Sequence, residues 1–145
     1  MIKNNIIRKF DIEFVEQPVP QHDVSGLKFV KNNVNTPIMA DESIFSPVDA
    51  FQLLNNEAVD LLNIKLMKSG GVRRTKQIAD VAESMNIPCM IGSMMESSIS
   101  HPNIISYDLD ASLWLIDEVI EGGIHFNQSE VCLTDKSGLG IATYL

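Results

Sequence analysis

The stretch VDLLNIKLMKSGG, residues 59–71, decides how this chain is interpreted. It is a mainly apolar run that contains Asn63 and Lys65, and it ends in two glycines. Such runs are typical of strands that are buried on both faces, as in a parallel sheet covered by helices. Alternation predicts two faces of this strand, one with Leu61, Asn63, Lys65 and Met67 and the other with Leu62, Ile64 and Leu66.

A helix is predicted directly after Gly70 and Gly71. Its apolar residues recur at helical spacing, and Lys76 and Asp80 form an i,i+4 pair on the outside. Asn86 and Pro88 end the pattern. The predicted buried stripe consists of Thr75, Ile78, Ala79, Ala82 and Met85.

Similar units lie on both sides of this stretch. Strands are predicted at DIEFVEQ (11–17), with Ile12, Phe14 and Glu16 on one face, and at PIMADE (37–42), PCMIGSM (88–94) and IISYDLD (104–110). Residues 23–33 have weak helical periodicity. Ser46 and Pro47 are typical of a helix start, and Val48, Phe51 and Leu54 follow at every third position.

The spacing of these units indicates a repeat. Glu16 to Asp41 is 25 residues, Asp41 to Lys65 is 24, and Lys65 to Met90 is 25. Strands that alternate regularly with helices predict an α/β fold with parallel strands, either an open sheet or a barrel. The connection to the fifth strand is shorter than a parallel crossover usually requires, so a helix is expected to be missing or shortened there.

Composition excludes several classes of protein. The 145 residues suit one domain, and the net charge of −8 argues against a nucleic-acid partner, which needs a basic surface. With no signal-peptide pattern and no apolar stretch long enough for a membrane helix, we expect a cytoplasmic protein without a membrane partner. Cys89 and Cys132 lack metal-type spacing and are expected to be buried, reduced thiols.

Polar side chains end the apolar strands. In a (β/α)8 barrel, catalytic residues lie at the carboxyl ends of the strands. Each such residue taken alone is more simply a solvated turn residue, but matched positions on successive strands favour a site. The strand-end residues are Glu16, Asp41, Lys65, Asp108 and Asp110.

Five motifs resemble a known family. VEQP, ADES, NIKLMKSGG, CMIGSMMESS and DLD, in this order, resemble the later half of the muconate-cycloisomerase subgroup of the enolase superfamily, most closely its dipeptide epimerases. The resemblance covers almost the whole chain. It implies a partial (β/α)8 barrel of about the last five strands, a single domain over residues 1–145, and a tail at 115–145 that would cover the barrel and contact a capping domain.

The resemblance also implies a site and a reaction. It implies a Mg²⁺-dependent isomerase that removes the proton α to a carboxylate of a dipeptide through an enolate. Lys65 would be one acid/base, Glu16 and Asp41 would bind Mg²⁺, and Asp108 and Asp110 would hold the substrate's α-ammonium group. Met95 would line the substrate.

The residue types suit this chemistry. Carboxylates are hard ligands for Mg²⁺, which would neutralise the charge of the enolate. A lysine acts as a base only when the pKa of its ammonium group is depressed. Because Lys65 lies between Ile64 and Leu66, partial burial and a nearby metal ion are expected to lower its pKa.

Measured against the family, parts of the site are absent from the sequence. The family's Lys-x-Lys motif, first metal ligand and capping domain have no counterpart here, so we expect weak Mg²⁺ binding, no epimerisation by the chain alone, and association into an oligomer or with an amino-terminal half. Three alternatives remain open: a muconate cycloisomerase-like fragment, a non-catalytic remnant or interaction module, and a phosphoacceptor receiver domain. Lys68-Ser69-Gly70-Gly71 is either an anion cradle or, more simply, a tight helix entry.

Overall fold

Helices and strands alternate along the chain in the predicted order. The computed structural model describes residues 10–94, 106–108, 120–123, 125–127, 130–132, 134–138 and 140–144. The main sheet contains strands β1 (Val15–Glu16), β2 (Ile38–Ala40), β3 (Leu61–Lys65), β4 (Cys89–Gly92) and β5 (Ser106–Asp108). The helices are α1 (Val24–Asn33), α2 (Pro47–Asn55), α3 (Leu66–Ser69) and α4 (Val72–Ser84).

All neighbouring strands of the main sheet are parallel, and their order in space follows their order in sequence. Glu16 pairs with Met39, and Lys65 pairs with Gly92. A sequential order is typical of a barrel, whereas a receiver-type domain is doubly wound and its strand order reverses. The predicted parallel α/β arrangement is therefore confirmed, and the receiver-domain alternative is disfavoured.

The core lies between the sheet and its helices. The central strands are buried on both faces, as the continuous apolar run predicts, and Leu62 and Ile64 of β3 are 0% and 1% exposed. Helix α4 contributes Ile78 and Ala82 to the same cluster, and helix α2 contributes Leu53. Thr75, Ile78 and Ala82 of the predicted stripe are buried and Ala79 is half-buried, but Met85 is exposed because the helix ends just before it.

The predicted start of α2 is confirmed, but its buried face is not the one that the sequence suggests. Ser46 is the N-cap, its hydroxyl accepts a hydrogen bond from the Asp49 backbone N–H at 3.2 Å, and Pro47 opens the helix. The side chains that enter the core are Ala50, Leu53 and Leu54, whereas Val48 and Phe51 are exposed. A spacing of three drifts around a helix that has 3.6 residues per turn, so every third residue does not keep to one face.

Strands β1 to β4 are all shorter than the runs predicted for them, and β1 and β3 show two different reasons. Strand β1 begins only at Val15, whose N–H donates to the Pro37 carbonyl at 2.9 Å, because its partner β2 begins at Ile38. Ile12 and Phe14 therefore lie before the strand. Strand β3 ends at Lys65, so the prediction that Leu66 and Met67 continue its faces is wrong.

Local hydrogen bonding explains why β3 stops at Lys65. Residues 66–69 form the single turn α3, in which the Ser69 hydroxyl donates to the Lys65 carbonyl at 2.9 Å. Gly70 then takes the left-handed conformation, with a φ of 78°, and ends the turn. Glycine adopts this conformation without the steric cost that a side chain imposes. The two glycines therefore close one short helix and allow α4 to start.

The later part of the chain forms two antiparallel pairs. Strand β6 (Ile120–Gly122) pairs with β9 (Ile141–Tyr144), and β7 (His125–Asn127) pairs with β8 (Glu130–Cys132). A covering role for residues 115–145 stays a prediction. The predicted shortened crossover falls mostly on residues outside the described ranges.

Two further sequence predictions concern thiols and membranes. Both cysteines are free, and burial raises the pKa of the Cys89 thiol to about 11. Cys132 is half-buried rather than buried. Among the described residues, none of the helices combines the length and the apolar character that crossing a bilayer requires.

Candidate functional site

The carboxyl ends of β1, β2 and β3 bring three predicted site residues together. Glu16 ends β1, Asp41 directly follows β2, and Lys65 ends β3. The Lys65 ammonium lies 2.6 Å from Oδ2 of Asp41. The Asp41 side chain is only 7% exposed and that of Lys65 14%, so this ion pair is largely shielded from water. The parallel sheet therefore delivers the strand-end residues to one edge, as the barrel architecture requires.

A second lysine, Lys68 of α3, also binds Asp41. Its ammonium contacts Oδ1 of Asp41 and donates to the Asp41 backbone carbonyl at 2.6 Å. It also lies 5.6 Å from the centre of the Phe45 ring, within the range of a cation–π interaction. The sequence suggested Lys68 only as part of a possible anion cradle, whereas in the structure its ammonium binds the Asp41 carboxylate.

Asn63 is a site residue that the sequence analysis did not single out. It is fully buried on β3, and its amide Nδ2 donates to Oε1 of Glu16 at 2.6 Å. Its Oδ1 has no hydrogen-bond partner in the part of the chain that the structure describes. The alternation of side chains along β3 places Asn63 on the same face as Lys65, and this is the signal in the sequence that could have identified it.

Gly92 makes room for both side chains on the neighbouring strand. A Cβ atom at this position would lie 2.6 Å from Oδ1 of Asn63 and 2.9 Å from Cε of Lys65. Real Cβ contacts are essentially never this close, so any side chain here would displace Asn63, Lys65 or both. Glycine is needed at this point because of close approach, not because of an unusual φ.

Gln17 joins the end of β1 to the turn that carries Asp41. Its Oε1 accepts from the backbone N–H groups of Asp41 at 3.0 Å and Ser43 at 3.3 Å, and its Nε2 donates to the Ser43 hydroxyl at 2.9 Å. Gln17 has a φ of 39°, which is unfavourable for a residue with a side chain. Such backbone strain persists only where surrounding contacts fix it, as these hydrogen bonds do.

The two carboxylates of the site differ in their ionisation. Burial raises the pKa of Glu16, and the neighbouring Asp41 raises it further, although the hydrogen bond from Asn63 opposes both. Burial would also raise the pKa of Asp41, but its bonds to Lys65 and Lys68 outweigh burial and hold the pKa below its usual value. Asp41 is therefore the firmly ionised member of the pair.

The prediction that Lys65 has a depressed pKa is wrong for this arrangement. Burial does act to lower the pKa of Lys65, as expected. The hydrogen bond to Asp41 and the negative charges of Asp41, Glu16 and Glu42 outweigh burial, so that the pKa is raised. Lys65 carries its proton here and is, in this state, an acid.

The donor chemistry of the site suits a hard divalent cation. Glu16 and Asp41 supply carboxylate oxygens, and Mg²⁺ is commonly held by one or two carboxylates while it keeps several waters. The raised pKa of Glu16 marks a partly desolvated carboxylate whose hydrogen-bond partner is the Asn63 amide rather than an ammonium group. Over the described residues, no group of three or more His, Cys, Asp or Glu side chains could hold a metal ion. The residues present thus fit Mg²⁺ as a two-carboxylate set.

The remaining predicted residues lie at the next strand or beyond the described ranges. Asp108 ends β5 and pairs with Gly92, which places its backbone two strands away from Lys65, with Gly92 of β4 between them. Its side chain is not described. Asp110 and Met95 lie outside the described residues.

Comparisons with known proteins agree with this architecture. The family profile described as "Enolase C-terminal domain-like" matches residues 4–143. The chain is 44% identical over 140 residues to the L-Ala-D/L-Glu epimerase of Bacillus subtilis, covering 90% of this chain and 38% of that protein.

Two solved structures are similar in fold and sequence. A substrate-liganded complex of the Bacillus subtilis L-Ala-D/L-Glu epimerase superposes with a TM-score of 0.85 at 42% identity, covering 92% of this chain and 40% of that one. The dipeptide epimerase of Enterococcus faecalis V583, complexed with Mg and the dipeptide L-Leu-L-Tyr, superposes with a TM-score of 0.87 at 39% identity, covering 94% of this chain and 42% of that one. The chain thus spans about two fifths of the length of these relatives.

Proposed function

This chain belongs to the Enolase C-terminal domain-like family, and we propose that it supplies the later-strand part of a Mg²⁺-dependent dipeptide epimerase site. Relatives at 44% and 40% identity are named as epimerases of dipeptides, and one similar structure holds Mg and a dipeptide. The reaction removes the proton α to a carboxylate and returns it on the opposite face.

The observation that carries the proposal is the contact between Lys65 and Asp41. A buried lysine ammonium 2.6 Å from a carboxylate at a barrel's strand ends is costly to desolvate, and such groups concentrate at active sites. Glu16 lies beside this pair and has a raised pKa. A salt bridge that served stability alone would not need a second, poorly neutralised carboxylate beside it.

Lys65 is assigned the acid/base role on its own face of the substrate. In its protonated state it donates a proton to the α-carbon, and after losing that proton it is a base for the reverse direction. Removal from one face and return on the other require two groups, so Lys65 accounts for one half of an epimerisation. We assign the other half to a group that the described residues do not supply.

Glu16 and Asp41 are assigned to hold Mg²⁺, which, when bound, stabilises the negative charge that develops on the substrate carboxylate. The Lys65 ammonium donates to Oδ2 of Asp41, and this hydrogen bond is the largest single contribution that raises the pKa of Lys65. A cation held by Asp41 would oppose this contact, since like charges repel.

Asp108 and Asp110 are assigned to the substrate's α-ammonium group, and Met95 to the substrate lining. The backbones of Lys65 and Asp108 both pair with Gly92, from its two sides, so Asp108 lies level with Lys65 at the carboxyl edge of the sheet, which supports its inclusion in one site. A carboxylate pair favours a substrate with a free amine, in agreement with the dipeptides that the relatives are named for.

We also propose that further strands pair with the two outer strands of the sheet, supplied either by an amino-terminal half-barrel or by a second copy. Within the described residues, β1 pairs with β2 alone and β5 with β4 alone. A TIM-type barrel closes with eight strands, and unpaired edges favour association. Light scattering at micromolar concentration tests this proposal, and a stable, cooperatively unfolding monomer would contradict it.

Exchange of the α-proton of L-Ala-L-Glu in D2O, followed by NMR, tests the function. We expect no epimerisation by the chain alone, and Mg²⁺-dependent exchange and epimerisation when the amino-terminal part of the Bacillus subtilis epimerase is added. Lys65→Ala should abolish the activity of the mixture, while Lys76→Ala, on the exposed face of α4, should leave it unchanged. Undiminished turnover in Lys65→Ala would show that the chemistry is wrongly assigned. A folded, assembled mixture without exchange would favour a non-catalytic module.

A further inference from the structure

We infer that Lys68 is a positioning residue that fixes the Asp41 carboxylate, so that Oδ1 is held by the protein and Oδ2 is presented to the site. This inference rests on the proposed function, because it assigns Asp41 to cation binding. It concerns a residue that the proposed reaction does not itself use.

The two lysines bind Asp41 in different ways. Lys65 contacts Oδ2 alone, at 2.6 Å. Lys68 contacts Oδ1 and also donates to the backbone carbonyl of the same residue, at 2.6 Å. An ammonium group has three donors, so one group can bridge both oxygens. This bridge links the side chain of Asp41 to its own backbone and restricts rotation of the carboxylate.

Surrounding contacts hold Lys68 in place. Its side chain is 7% exposed, half the exposure of Lys65, and the Phe45 ring lies 5.6 Å from its ammonium. On the other side, the Asp41 backbone N–H is bound by Gln17 at 3.0 Å. Asp41 is thus held at its N–H, its carbonyl and Oδ1, and a lysine that moves away from Oδ2 does not release the carboxylate.

Charge and position predict opposite effects when Lys68 is replaced. If Lys68 acted only through its charge, its removal would strengthen the binding of a divalent cation, since like charges repel. If it acts by fixing Asp41, its removal weakens binding despite that relief. Loss of a residue that orients a metal ligand typically costs roughly 10 to 100-fold in metal affinity.

Mn²⁺ binding to the 145-residue chain, measured by electron paramagnetic resonance, tests whether replacing Lys68 strengthens or weakens cation binding. We expect Lys68→Met to weaken Mn²⁺ binding about 10-fold or more, and Lys68→Arg, which keeps the charge but not the ammonium geometry, to weaken it less. Lys65→Met should bind at least as tightly as the unaltered chain, because a competitor for Oδ2 is gone. Lys76→Met is the surface control. Tighter binding by Lys68→Met would overturn the inference.

Amide hydrogen exchange in residues 41–44 provides a readout that needs no metal. We expect faster exchange in Lys68→Met than in Lys65→Met, because only Lys68 is bound to the backbone of this turn. Equal exchange in the two variants would overturn the inference even if Mn²⁺ binds. If the unaltered chain binds no Mn²⁺ but Lys68→Met exchanges faster, the cation assignment fails and the fixing of Asp41 stands. If Lys68→Met does not fold, Lys68→Arg decides by the same two measurements.

Discussion

Two aspartate–lysine pairs lie at opposite ends of the same sheet, and they differ in burial and in the groups that they bind. At the amino end of β3, Lys31 of α1 lies 3.1 Å from Asp60. Lys31 also donates to the Val59 carbonyl at 2.7 Å, and Asp60 accepts from the Ile38 N–H at 2.9 Å. Lys31 and Asp60 thus bind a backbone carbonyl and a backbone N–H where β3 and β2 begin, and the pair connects α1 to these two strands.

At the carboxyl end, the charged groups mainly bind one another. Asp41 is contacted by two ammonium groups, and the nearby Glu16 is left with an amide partner and a raised pKa. The amino-end pair is also more open, with Lys31 24% and Asp60 37% exposed. An ion pair alone therefore does not mark a site. A site is indicated instead by low exposure, by partners shared between charged groups and by a carboxylate without its own ammonium partner, all at the carboxyl ends of barrel strands.

The largest expected difference between the two ends concerns catalysis. In the mixture with an amino-terminal fragment, Lys65→Ala should reduce α-proton exchange by about 10² to 10⁴-fold, the usual contribution of a general acid or base. Lys31→Ala should leave the exchange rate per folded molecule unchanged. NMR in D2O measures both, and equal losses in the two variants would mean that the ends do not differ in function.

A smaller difference is expected in stability. Asp41→Asn leaves two buried ammonium groups without their carboxylate, and the free energy of unfolding at pH 7 should fall by about 3 kcal/mol. Asp60→Asn, at the more open end, should cost about 1 kcal/mol, the value of a hydrogen bond to a partly exposed group. Urea unfolding measures both values. A larger loss for Asp60→Asn would reverse the comparison.

The pH dependence of stability should separate Glu16 from Asp41. The folded pKa of Glu16 lies above its ordinary value of 4.5, so folding binds this proton more tightly and stability rises as pH falls through the folded pKa. The folded pKa of Asp41 lies below 3.8, so its contribution is present above 3.8 and is lost as pH falls toward the folded value.

Glu16→Gln should therefore be more stable than the unaltered chain at pH 7, and this advantage should shrink on acidification toward pH 4.5. Urea midpoints measured between pH 4 and pH 7 provide the test. An advantage that grows as the pH is lowered would contradict the assigned direction.

The smallest effect is expected on the exposed face of α4. Lys76 and Asp80 form an i,i+4 pair at 2.7 Å, and both side chains are exposed. Water and salt screen such pairs, so Lys76→Ala should leave the midpoint of thermal unfolding essentially unchanged. A loss as large as that of Asp60→Asn would show that exposure does not rank these ion pairs.

The sheet and the meeting of Glu16, Asp41 and Lys65 at one edge could be predicted from the sequence because both depend on regular spacing. Glu16, Asp41 and Lys65 recur at intervals of 24 or 25 residues, and a repeated βα unit returns them to one edge of the sheet. A local capping pattern, Ser46 followed by Pro47, predicted the start of α2, and the capping bond confirms it. Periodic features of this kind are the strongest signal in a single sequence.

The features that the sequence did not predict depend on single contacts. The binding of Asn63 to Glu16 joins residues 47 positions apart, and no local pattern encodes that distance. Helix α3 is one turn long, too short for periodicity, so Leu66 and Met67 were assigned to the strand and Lys68 was not brought to Asp41. The pKa of Lys65 depends on which charges lie nearest in space, and burial alone predicts the wrong direction.

The single turn that follows β3 has a consequence for how the site can change through evolution. Because Lys68 lies in the single helical turn that directly follows Lys65, local geometry fixes the positions of the two ammonium groups relative to each other. Inserting one residue between them would rotate Lys68 by about 100° around the turn and carry it away from Oδ1. A substitution in this segment changes one side chain and leaves the spacing of the two lysines intact, whereas an insertion or deletion changes that spacing. The length of the segment is therefore expected to vary less than its composition.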